Sequence, residues 1–281
     1  MPQGLSGDPG APKYFLLNHG DHAHMMSLRH ACHCPGKHVI MIKEENVLGV
    51  LTLATSKGGA GKSTLARSLA AHWLMIGYRP ALIDADPQRS LANRHDPVGK
   101  LGALPLVAEP EQRVREVIAE LRQKHAPVIV DTAGFRNRTS ISALVASDIA
   151  LIPLKPSAED VEAAVTTYEL IQEINGTPER KDNPLRACMV LTMTMHGTVI
   201  SRHVRSQLEG EGLPVLKAEM SNRVSYPETG IDGLSPSVVD PDGAAARDIA
   251  AIANELMKLG EHESMTKGAT AHTTKAKEVA A

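Results

Sequence analysis

The chain has 281 residues, enough for one large core or two small ones, and its net charge of -2 excludes a global field that would draw it to nucleic acid. Aromatic residues make up only 2%, with one tryptophan, which argues against a single-strand binder that stacks bases. The three cysteines form no disulfide framework, no secretory signal is visible and no apolar run is long enough to cross a membrane, so the expected location is cytoplasmic.

Residues 1–45 are rich in His, Gly and Pro and poor in periodic apolar residues. His19, His22, His24, His30, His33 and His38, with Cys32 and Cys34, suggest zinc, but they lack the paired spacing of a zinc site. The composition predicts a disordered leader, or one upstream of the true start, with Met41 just before the first strand.

The first strand is predicted over 47–55 and the first helix over 62–76. Between them lies Ser56-Lys57-Gly58-Gly59-Ala60-Gly61-Lys62-Ser63-Thr64. Strand, glycine-rich turn and helix in that order make a phosphate-binding loop, because glycines let consecutive N–H groups curl around an anion. Lys62 would reach the β- and γ-phosphates and the Ser63 hydroxyl would ligate Mg²⁺. Ser56 stands where the usual pattern has its first glycine, and Lys57 precedes the glycine pair.

The second strand, 80–84, runs into Asp84-Ala85-Asp86-Pro87-Gln88. Paired carboxylates at a strand exit suit Mg²⁺ and water handling, although Asp-Pro alone can simply open a turn. A third strand over 104–108 and a helix over 110–125 follow. The strand over 127–131 ends in Asp131-Thr132-Ala133-Gly134 and reads as a Walker B element. Asp131 would hold a Mg²⁺ water, and the Gly134 N–H can approach the γ-phosphate. Further strands are expected over 149–153, 188–192 and 214–216, with helices over 140–146, 157–174, 199–209 and 243–259. The alternation predicts a doubly wound α/β domain with a mostly parallel sheet and helices on both faces, whose ligand lies beyond the carboxyl ends of the strands. The segment 260–281 reads as a disordered polar tail.

The pattern Lys57-Gly58-Gly59-Ala60-Gly61-Lys62-Ser63 resembles the deviant Walker A loop of the ParA/MinD family of dimeric ATPases, most of all the small plasmid-type ParA proteins. Asp84-Ala85-Asp86-Pro87-Gln88, the segment from Ser147 to Ser157 and the stretch Ser221 to Tyr226 extend the resemblance over residues 46–259. It implies a P-loop ATPase that is slow and partner-stimulated. It also implies an ATP·Mg²⁺-dependent homodimer in which Lys57 touches the phosphates of the other subunit. Asp86 would position the hydrolytic water, with Asp84 behind Mg²⁺ or the P-loop. By the same resemblance the dimer binds DNA without sequence preference, associates with the nucleoid and positions plasmid, chromosome or other cargo with a ParB-like adaptor. Arg202, Arg205 and Arg223 are the expected DNA contacts; two arginines three apart share a helix face, which is also how a merely solvated face reads. A P-loop small-molecule ligase or synthetase is the alternative of a different class. A MinD-like positioning ATPase would need an amphipathic C-terminal helix, and the tail after Gly260 has no Leu, Ile or Phe, so no membrane partner is expected.

Overall fold

The computed structural model describes residues 31–32, 40–41, 48–109, 111, 113–134, 137–195 and 197–260. The chain divides into two units, Met1–Val39 and Ile40–Ala281. In the first, the described residues form the two-residue strand Ala31–Cys32; a second such strand, Ile40–Met41, opens the other unit. The expectations for most of the His-rich leader and for the tail after Gly260 lie outside the described residues.

The main unit is built on seven strands: β1 Val50–Leu53, β2 Ala81–Ala85, β3 Leu106–Ala108, β4 Val128–Thr132, β5 Ile149–Leu154, β6 Arg186–Thr194 and β7 Met220–Ser221. Their order across the sheet is β3-β2-β4-β1-β5-β6-β7, and every pairing is parallel. The inner strands β1, β2, β4 and β5 are buried along their whole length, which is why they read as unbroken apolar runs rather than alternating ones. The connecting helices are α1 Lys62–Met75, α2 Val114–Leu121, α3 Arg138–Val145, α4 Ala158–Asn175, α5 Val199–Gly210, α6 Ser225–Ile231 and α7 Pro236–Val239, followed by a final helix, α8, over 244–260.

The pleat sends alternate side chains to opposite faces. Leu51 and Leu53 of β1 join Leu65, Leu69 and Trp73 of α1 and Ile249, Ile252 and Leu256 of α8 on one face. On the other, Val50 packs with Val114 and Ile118 of α2, and Ile152 with Val161 and Ile171 of α4. The sheet is therefore covered on both sides. Its winding reverses at β1, with β4 on one side and β5 on the other, and the crevice for a ligand opens there.

The structure corrects one predicted strand. Segment 214–216 makes a single bridge, Val215 to Met189, and the edge strand is Met220–Ser221. Pro214 has no N–H to give a ladder, so only its carbonyl pairs, accepting from the Met189 N–H at 2.7 Å.

Candidate nucleotide site

The loop between β1 and α1 takes its curl from Gly59 (φ 75°) and Gly61 (φ 83°), conformations that a Cβ disfavours. Gly61 is the N-cap of α1 and offers no side-chain cap, so the first N–H groups of the helix have no protein acceptor at this end. A helix start of this kind binds an anion through its N–H groups and dipole. Polar side chains from distant elements brace the loop. The Ser56 hydroxyl donates to the Ala163 carbonyl of α4 at 3.2 Å, while the Ser56 N–H donates to the Thr167 hydroxyl. The buried Thr192 hydroxyl of β6 donates to the Ala60 carbonyl at 3.0 Å and reaches the Leu154 carbonyl at 3.2 Å. Serine at the position of the missing glycine is thus part of the brace. Thr192 gave no sequence signal, because its partner is 132 residues away.

Register brings the carboxylates together: Asp131 of β4 lies beside both Asp84 of β2 and Leu53 of β1. Asp84 is completely buried. Its two oxygens accept backbone N–H groups from Asp86 (3.2 Å), Leu91 (2.9 Å) and Ala92 (2.9 Å), so it anchors the loop that carries Asp86. Asp86 is half-buried and accepts the Gln88 N–H at 2.8 Å, an Asx turn that fixes its carboxylate at the loop tip. Asp131 differs from both. It is fully buried, and neither oxygen has a hydrogen-bond partner among the described residues. Burial pushes its carboxyl up to about 7; the nearby Ser63 hydroxyl and Lys62 ammonium act against that, and Asp84 and Asp86 act with it. Lys62 is shifted down by burial, with Asp131 and Asp86 opposing.

A buried carboxylate with two orphaned oxygens, facing a hydroxyl at a helix start, is a donor set suited to a divalent cation. Among the described residues no cluster of three or more His, Cys, Asp or Glu could hold such an ion alone.

Lys57 does not point into the cradle. Its ammonium donates to the Asp160 carboxylate at 2.8 Å and lies 3.9 Å from Glu159. That hydrogen bond raises the Lys57 pKa. Asp160 sits in the first turn of α4, where its carboxylate also accepts from the Ser157 hydroxyl (2.8 Å) and the Lys155 N–H (3.3 Å). Burial would raise the Asp160 carboxyl, but these donors outweigh it and hold it below the usual range. Asp160, absent from the sequence expectations, thus holds the lysine.

The remaining site residues fall around the loop. Gly58 and Gly59 are exposed, Ala60 is buried, Thr64 is half-buried, and a Cβ on Gly134 would lie 3.7 Å from the Ser56 carbonyl. The three arginines expected on DNA separate. Arg202 is exposed, whereas Arg205 pairs with Glu219 at 3.1 Å and Arg223 makes a two-pronged pair with Asp248 at 2.8 and 3.1 Å.

Residues 51–236 match the family described as the CobQ/CobB/MinD/ParA nucleotide binding domain. The chain belongs to that family. Maintenance of carboxysome distribution protein A from Halothiobacillus neapolitanus is 29% identical over 212 residues, covering 74% of this chain and 95% of that one. A ParA protein from Rhizobium radiobacter is 30% identical over 184 residues, covering 63% and 80% respectively. The fold is shared with the septum site-determining protein MinD from Pyrococcus horikoshii OT3, solved with Mg-ADP: TM-score 0.58 at 16% identity, over 75% of this chain and 96% of that one. The matched span of this CobQ/CobB/MinD/ParA domain includes the loop 56–64 and the strand ends of β2 and β4.

Proposed function

We propose that the chain is an ATP-dependent dimerising ATPase that binds DNA without sequence preference and positions plasmid, chromosome or other cargo with a ParB-like adaptor. The observation that carries this reading is Lys57. It is a second loop lysine, 38% exposed and held outside the cradle by Asp160. A lysine so placed is turned away from the phosphate loop of its own subunit, and once released from Asp160 it would serve another.

The chemistry follows from the residues present. The N–H groups at the start of α1 and the Lys62 ammonium would hold the β- and γ-phosphates. Ser63 and Asp131 would hold Mg²⁺, which would neutralise charge on the phosphates. Asp86, at the tip of a loop fixed by Asp84, would orient the attacking water. Lys57, delivered by a second subunit, would stabilise charge that develops in the transition state. Loss of the γ-phosphate contacts would then release the dimer. The ParA relative and the carboxysome distribution relative support a positioning role.

Retention of duplex DNA on filters at low salt tests the reading. ATP·Mg²⁺ should raise retention of DNA of any sequence, and added salt should abolish it steeply. Retention that is absent, or indifferent to nucleotide, would contradict the DNA role. Lys57→Ala should bind ATP normally yet lose partner-stimulated hydrolysis; full turnover in that variant would remove Lys57 from catalysis.

A further inference from the structure

Arg67 is the least explained charge in the fold. It lies four residues after Ser63 on α1, hence on the same helix face, and only 9% of it is exposed. Its Nε is buried with no hydrogen-bond partner, and no carboxylate is within ion-pair distance of it among the described residues. A guanidinium cannot shed its proton to escape that position. Burial and the neighbouring Arg94 both disfavour the charge, and only the field of Asp131 supports it. A buried charge without a partner is strongly unfavourable, so an anion is missing from its surroundings.

The space for one exists. Arg67 lines a cavity of about 360 Å³ with the polar Ser63, Thr64, Ser90 and Arg94 and with Tyr226, Pro227, Gly230 and Ile231. Among the described residues no carboxylate lines it. The guanidinium also depends on Gly230: a Cβ there would come within 2.8 Å of Arg67 Nη2. A backbone position left bare for an arginine tip, two guanidinium groups and the hydroxyls of Thr64 and Ser90 together match a tetrahedral oxyanion, which has acceptors on every side.

We propose that Arg67 and Arg94 form a second oxyanion site, adjoining the loop cradle at Ser63 and Thr64, that takes inorganic phosphate. The site rests on the cavity alone. Its nearest supply would be phosphate released beside Ser63, and that clause depends on the ATPase reading above.

Equilibrium dialysis of labelled inorganic phosphate against the full chain loaded with Mg·ADP, at constant ionic strength, tests the site. Saturable binding of one phosphate per chain is expected. Arg67→Met should weaken it by about tenfold, about 1.4 kcal/mol, and Arg94→Ala should weaken it less. Gly230→Ala should also weaken it by displacing the Arg67 tip. Phosphate binding should also be saturable in nucleotide-free Lys62→Ala, whose cradle is disabled, so a failure of the nucleotide reading stays separable from a failure here. Absence of saturable phosphate binding to the ADP-loaded wild type would overturn the proposal, as would equal binding by Arg67→Met.

Discussion

Lys57 and Asp131 carry opposite problems at the residue scale. Lys57 has a partner that it must leave before it can serve a second subunit, because Asp160 holds it at 2.8 Å. Freeing it should remove a conformational cost from dimerisation. Asp160→Asn is therefore expected to lower the protein concentration at which ATP-dependent dimers half-form, by about fivefold; an unchanged or higher midpoint by analytical ultracentrifugation would contradict the latch. Asp131 makes no well-formed hydrogen bond, although the Ser63 hydroxyl lies close enough to favour its charge, and its carboxyl is raised to about 7 against an ordinary 3.8. The folded chain holds this proton more tightly than the unfolded chain. The group thus favours folding most below its unfolded pKa, and the advantage is lost as pH rises through 7. The melting temperature of the nucleotide-free protein should fall between about pH 4 and about pH 7, the span of this shift, by several degrees more than that of Asp131→Asn. Parallel melting curves for the two proteins would show that Asp131 does not carry an unpaired charge. The loop residues from Lys57 to Thr64 were legible in sequence because a phosphate cradle needs its glycines, lysine and hydroxyl in consecutive order. The Asp84 anchor was not legible. Its three N–H partners depend on how the following loop folds back, and no spacing rule encodes that.

Among the elements, the buried strands were the easiest to read. Burial on both faces demands unbroken apolar runs, and β1, β2, β4 and β5 lie within about a residue or two of the runs that announced them, apart from the frayed ends of the first. The sheet edge was harder. Met220–Ser221 is too short to carry a period, and the more apolar 214–216 misled because a proline opens it. The small helices α6 and α7 also fell below any helical repeat, at seven and four residues. At the end of β6 the chain bends between Thr192 and Thr194, and Met193 takes a positive φ of 52° that costs a non-glycine residue roughly 1 kcal/mol. The bend lets Thr192 reach Ala60 and Met193 lie 3.7 Å from where a Gly61 Cβ would stand. Thr192→Val keeps the shape and removes the donor. It should weaken ADP binding by about fivefold, near 1 kcal/mol, with no loss of secondary structure by circular dichroism. Unaltered affinity in a titration with a fluorescent ADP analogue would show that the brace does not shape the cradle.

The sheet order places the predicted loop and carboxylates of the candidate site together at the carboxyl ends of β1, β2 and β4 in the main unit. The loop surface that carries Lys57 is also exposed there, so a second copy can approach the nucleotide without disturbing the core. The proposed DNA surface is less complete within one subunit. Arg205 and Arg223 are engaged with Glu219 and Asp248, and of the three expected arginines Arg202 alone is exposed. With a net charge of -2, few phosphate contacts are available per chain, and doubling them by dimerisation would matter most. Sequence could name those arginines but not their partners, because both carboxylates arrive from elements 14 and 25 residues away. The most direct measurement is the mass by light scattering of the Asp86→Ala protein, which should bind nucleotide but not hydrolyse it. With ATP·Mg²⁺ the mass should double from that of the 30.0 kDa chain, and with ADP·Mg²⁺ it should not. Combining Lys57→Ala with Asp86→Ala should prevent the doubling. A mass that ignores the nucleotide would contradict the reading of Lys57 as a residue that serves a second subunit.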